Sequence, residues 1–241
     1  LAVYALLDDL RARHPHVEIE ACASGGARVD LGMLERTDRV WTSDTLDPLE
    51  RLPIQRWTGL VVPPELLGAH LTSPVVHSTG RTTTLDWSAG VAFLGHLGIE
   101  WDLTTLDDAG LARVAAWVER WKRHRGLIAT GRVVHGDVAD PSLDVRGIVA
   151  QDGSEALASI AQVATSRAHP PARVRIPGLD RARSYRVEVL APAADAATPA
   201  QSPPAWGTGL RLTGAALGEV GIRPLVVFPE RLTLLHLVAE G

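Results

Sequence analysis

The chain is almost without cysteine and lysine: Cys22 and Lys122 stand alone among 241 residues. A single cysteine excludes an intrachain disulfide and any zinc framework built on paired cysteines. Positive charge comes almost wholly from arginines that are not clustered into a single basic run, and the net charge is −4, so neither a nucleic acid nor another polyanion is the expected partner. No apolar run reaches the roughly 18 residues of a membrane-spanning helix, so no membrane partner is expected. The nine histidines are scattered without an HExxH pattern. No metal site and no cofactor are therefore expected. The lone thiol is compatible with a reducing compartment, and a cytoplasmic location is the expectation.

The most informative stretch is Val40-Trp41-Thr42-Ser43-Asp44-Thr45-Leu46-Asp47-Pro48-Leu49-Glu50-Arg51. It reads as the end of a buried strand, a polar turn with two carboxylates, and the first turn of a helix. Asp47 is a good N-cap, Pro48 suits the first helical position, and Glu50 can close a capping box. Asp44 has no such structural task. It lies where a carboxylate leaves the sheet and enters the cleft between loops, which is where parallel α/β sheets carry catalytic groups. From these residues alone, a catalytic and a merely solvated carboxylate are both open.

By length the chain is one large domain or two modest ones. Its first part alternates helices and strands. Helices are expected over residues 1–13, 30–36, 47–57, 81–94 and 107–125, and strands over 17–20, 39–42, 59–62 and 98–103. In the first helix Val3, Leu6, Leu7 and Leu10 make an apolar stripe. Residues 68–80 read as a polar loop with His70 and His77. This alternation predicts a parallel sheet wrapped by helices. After about Gly126 the pattern changes to short alternating runs, 145–149, 172–176, 185–189, 225–228 and 232–238, which predict antiparallel strands. Residues 191–205 are Ala/Pro-rich and nearly chargeless, and read as an exposed loop.

Among other candidates, Cys22 reads as a small buried hydrophobe rather than a nucleophile, since no His or Asn pattern for thiol activation adjoins it. The Gly25-Gly26 pair is weak as a phosphate loop without a following Lys-Ser/Thr. Aromatic faces pack well on sugars, and Trp41, Trp57, Trp87 and Trp101 lie near expected loop ends. Trp117 and Trp121, four apart on a helical stripe, read as core.

Two segments carry a resemblance: Cys22-Ala-Ser-Gly25-Gly-Ala-Arg28-Val-Asp30, then Trp41-Thr-Ser-Asp44-Thr-Leu-Asp47-Pro-Leu-Glu50-Arg51. With Pro63-Pro64-Glu65, Thr79-Gly80-Arg81, the run from Phe93 to Leu103, and Trp206 to Leu217, they resemble glycoside hydrolase family 36, the α-galactosidases. The resemblance implies a retaining hydrolase of terminal α-linked galactose, as in melibiose or raffinose. It implies Asp44, in the WxSD turn, as general acid/base. It also implies Cys22 and Gly25, in the CxxGxxR turn, as a tight wall beside the sugar 2-hydroxyl, favouring galactose over its 2-acetamido analogue. Arg28 reads as a brace of that turn.

The family's attacking aspartate sits in a Lys-Trp-Asp strand end upstream of the cysteine turn, and nothing in residues 1–20 matches it. The chain also opens on Leu1 inside a helical pattern. The expectation is therefore a C-terminal portion of such an enzyme: the second half of a (β/α)8 barrel over 1–126, then an antiparallel β-sandwich over 127–241, inactive alone. The full-length protein is expected to be a homo-oligomer. Alternatives are a galactosyl transferase of the raffinose-synthase kind and a non-catalytic remnant that binds sugar or mediates oligomerisation.

Overall fold

The computed structural model describes residues 2–22, 29–191, 202 and 209–240. It divides into two compact units, Leu1–Val118 and Glu119–Gly241.

The first unit alternates helix and strand: α1 (Ala2–Arg13), β1 (Glu20–Cys22), α2 (Leu31–Leu34), β2 (Arg39–Trp41), α3 (Pro48–Thr58), β3 (Gly68–Thr72), α4 (Leu85–Ala92) and β4 (His96–Glu100). β1 and β2 are parallel, as are β3 and β4, and a parallel bridge between Val40 and Leu67 links the two pairs. Spatial order thus follows chain order, as consecutive βα units commonly place neighbouring strands side by side. Caps stand where the sequence puts cap residues. Asp30 accepts from the Met33 N–H, Asp47 from the Leu49 N–H, and Thr84 from the Trp87 N–H. Leu7, Ala21, Met33, Val40, Val62 and Leu67 form one buried cluster.

Three expectations are corrected. Residues 59–62 are a turn, with Leu60 and Val61 62% and 75% exposed, because α3 runs to Thr58 and Pro63-Pro64 ends the apolar run before it can pair. The strand lies instead at Gly68–Thr72, inside the segment expected to be loop, and four of its five residues are buried. The strand expected at 17–20 begins only at Glu20, and Val17 is exposed. The stripe of α1 is also only partly used: Leu7 is buried, while Val3 and Leu6 are exposed.

Helix α5 (Asp108–Thr130) carries the chain into the second unit. There β5 (Arg132–His135), β6 (Leu143–Val149), β7 (Glu155–Gln162), β8 (Ser184–Ala191), β9 (Leu210–Thr213) and β10 (Arg231–Glu240) form one antiparallel sheet in the order β5-β6-β7-β10-β8-β9. The longest strand, β10, is central, and Leu234, Leu235 and Leu237 are fully buried. The expected sandwich differs in one respect: among the described residues of the second unit a single sheet is present. Residues 172–176 and 225–228 are not strands, yet Val174, Ile176, Leu179, Leu217, Ile222 and Leu225 join its core. Apolar alternation there records burial against the sheet rather than membership of it. The expected loop at 191–205 lies almost wholly outside the described residues.

Candidate active site

Parallel register sets the site. Cys22, the last residue of β1, pairs with Trp41, the last residue of β2. The chain leaving Trp41 turns through Thr42 and Ser43, and the Thr45 N–H donates to Ser43 Oγ at 3.2 Å. That turn brings Asp44 back over the strand ends, with Oδ1 4.0 Å from Cys22 Sγ. Both side chains are exposed. The reading of Cys22 as a buried hydrophobe is therefore corrected: its strand ends there, so the thiol faces the opening. Gly25 and Arg28 lie outside the described residues.

Beneath the turn, Arg51 acts as a brace. Helical side chains lean toward the helix N-terminus, so Arg51 in the first turn of α3 reaches back beneath the strand ends. Its Nη1 donates to the Ser43 carbonyl at 3.0 Å and Nη2 to the Gly68 carbonyl at 2.9 Å, tying the β2 turn to the start of β3. Its guanidinium also lies 4.3 Å from the Trp41 ring centre. Burial lowers its pKa to about 10, partly opposed by Glu100, so it stays cationic at neutral pH.

Trp41 stacks on His70 of β3, with ring centres 4.0 Å apart and planes at 14°. His70 Nδ1 is 2.8 Å from Glu100 Oε2 at the end of β4. A side chain at Gly98 would put its Cβ 2.6 Å from the His70 ring, so only glycine leaves the imidazole its place.

Asp47 is more than a cap. Its Oδ1 accepts from the Leu49 N–H, while Oδ2 accepts from Thr79 Oγ1 at 2.8 Å and Arg81 Nε at 2.7 Å. Burial opposes ionisation, but the Arg81, Thr79 and Leu49 donors outweigh it and hold the carboxyl below its usual range. The segment after β3 is thereby fastened to the start of α3.

The structure brings Asp44 and Cys22 together, with Trp41 behind them as wall rather than exposed platform, since it is 6% exposed. Trp57 is exposed at the far end of α3, and Trp87 is core. Trp117 is core as expected, edge-on to Phe93. Sequence reading missed Arg51, His70 and Glu100. The signal for Arg51 was its place four residues after a helix cap that itself follows a strand end. Among the described residues, none of the His, Cys, Asp and Glu side chains here are grouped closely enough to hold a metal.

Comparison with known proteins assigns the class and then the family. Residues 144–225 match the glycosyl hydrolase family 36 C-terminal domain, which places the chain among the glycoside hydrolases. Residues 1–131 match the Melibiase family, and the chain belongs to it. It is similar to an alpha-galactosidase of Escherichia coli, 37% identical over 243 residues covering 97% of this chain and 34% of that protein. Alpha-galactosidase C of Emericella nidulans is 37% identical over 190 residues, covering 78% of this chain and 25% of that protein. Among solved structures, a variant of the family 36 alpha-galactosidase AgaA from Geobacillus stearothermophilus in complex with raffinose superposes with a TM-score of 0.84 at 28% identity, covering 99% of this chain and 31% of that one. The chain thus spans between a quarter and about a third of the length of the curated relatives it matches.

Proposed function

We propose that the protein containing this chain is a retaining α-galactosidase acting on terminal α-linked galactose in oligosaccharides of the melibiose and raffinose kind. The observation that carries the reading is the meeting of Cys22 and Asp44 at the ends of adjacent parallel strands, with Sγ and Oδ1 4.0 Å apart. The four βα units are then one half of a closed (β/α)8 barrel over residues 1–126, whose active site opens at the carboxyl ends of the strands. The antiparallel domain over 127–241 follows it.

In this mechanism a second carboxylate, about 5 Å from Asp44, attacks the anomeric carbon. The bond from that carbon to the glycosidic oxygen breaks, and Asp44 gives the departing oxygen its proton. Asp44 then takes a proton from water as the water attacks the galactosyl-enzyme bond, releasing galactose and the first carboxylate. The attacking group is supplied by residues outside these 241, so this stretch alone hydrolyses little or nothing. Cys22 and Gly25 press against the sugar 2-hydroxyl. A small thiol and a bare backbone suit that contact, and both would exclude a 2-acetamido group.

The test is hydrolysis of an aryl α-galactoside by the whole protein, with the first-formed sugar followed by NMR. Release of the α anomer first supports the reading. Release of the β anomer first, or cleavage of the β-galactoside instead, overturns it.

A further inference from the structure

Three residues distant in sequence converge on one face of the second unit's sheet. In β10, His236 stands opposite Leu157 of β7. Glu155 lies two residues along β7 from Leu157 and so shares that face as a diagonal neighbour of His236. The His236 Nε2 to Glu155 Oε2 distance is 3.0 Å. From α5, His124 brings its ring edge-on to that of His236, with centres 4.7 Å apart and planes at 69°. One ligand atom from each of the three lies within 4.8 Å of the others. This face is opposite the one that carries Ala156, Ala158, Ile160, Leu235 and Leu237 into the apolar core.

We propose that His124, Glu155 and His236 form a binding site for a divalent transition-metal cation of the zinc type, with solvent in the fourth position. Two imidazoles and one carboxylate are a ligand set that such a cation takes in tetrahedral geometry, whereas calcium and magnesium prefer all-oxygen shells. The ligands stand on one helix and two hydrogen-bonded strands, so little order is lost on binding. The His236 side chain is 16% exposed and that of Glu155 40%, which leaves an open side for water. Glu188, opposite His236 on β8, is paired with Arg186 and is not counted as a ligand. The bound ion would fasten the C-terminal part of α5 to the sheet. None of this depends on the α-galactosidase reading.

The experiment is titration of the chelator-stripped whole protein with Co2+, followed by its visible d–d absorption, with competition by Zn2+. The expected result is one equivalent bound with intense bands of a tetrahedral site, displaced by Zn2+ and not by Ca2+. His124→Ala and Glu155→Gln should each weaken binding at least about tenfold. Glu155→Gln changes one atom at a strand end, and an unchanged far-UV circular dichroism spectrum will separate lost ligation from lost fold. Failure of the native protein to bind an equivalent overturns the proposal, as does binding that both variants retain at full strength.

Discussion

Cys22 Sγ and Asp44 Oδ1 stand 4.0 Å apart across 22 positions of sequence, because Cys22 and Trp41 end adjacent parallel strands in register. A side chain larger than a thiol at position 22 would fill the space beside the Asp44 carboxylate, where the proposed function puts the sugar. Cys22→Phe should therefore lower kcat/KM for an aryl α-galactoside about 10- to 100-fold through misplacement of the sugar. Because residue 22 is exposed, Tm should hardly change. Steady-state kinetics and a thermal melt on the same preparation check both halves. A fall in Tm without kinetic loss would assign Cys22 to structure.

Arg51 links the Ser43 and Gly68 carbonyls through its two terminal nitrogens. Arg51→Met removes both bonds and leaves two carbonyls without their donors, at a cost of about 2–4 kcal/mol. Arg51→Lys should recover little of this, since one ammonium cannot reproduce the two-armed geometry. Urea denaturation measures both changes. A lysine variant as stable as the native protein would mean that the two-carbonyl link contributes little.

These cases also mark what the sequence makes legible. Asp47-Pro48 announces a helix start because cap chemistry is local, and the observed cap stands at that place. The turn after Trp41 was legible for the same reason. By contrast, Arg51 is charged and sits in a helix, so periodicity assigns it to solvent. Its burial is set by the neighbouring strand Gly68–Thr72, which sequence reading took for loop. Short buried strands lack the length that periodicity needs, and Gly59–Val62 offered a more apolar but wrong alternative. In the second unit, the alternation of 172–176 and 225–228 reflects burial against the sheet, and the one pairing within it is the isolated antiparallel bridge of Val174 to Ile222 among the described residues. His124, Glu155 and His236 share no spacing at all, and only the sheet register joins Glu155 to His236.

Asp47 gives stability a definite dependence on acid. Its folded pKa lies below the unfolded value of about 3.9. The carboxylate's contribution is thus fully present above that value and is lost as pH falls through the folded pKa. Asp47→Asn keeps the shape but loses the charge that holds Arg81. The stability gap between native protein and variant should be constant from pH 7 to about 5 and narrow below about pH 4. Denaturation midpoints at stepped pH measure it. A gap unchanged down to pH 2 would contradict the assignment.

Tyr185 closes the turn before β8: its hydroxyl donates to the Gly153 carbonyl at 2.7 Å and accepts from the Asp180 N–H at 3.0 Å. The side chain is fully buried. Tyr185→Phe strands both backbone groups and should cost about 1–3 kcal/mol, with no effect on KM. Chemical denaturation and substrate saturation curves test this together.

The most direct test of the central claim is Asp44→Asn in the whole protein, assayed on an aryl α-galactoside with a good leaving group, with and without azide. If Asp44 is the acid/base, the attacking carboxylate still forms the galactosyl-enzyme, but water is no longer activated and turnover falls by about 10²- to 10⁴-fold. Azide needs no general base, so it should restore turnover. Two successive inversions then give the α-galactosyl azide. A β-galactosyl azide would instead make Asp44 the attacking group. Undiminished activity in the variant would leave the Ser43-Asp44 turn with no part in the chemistry.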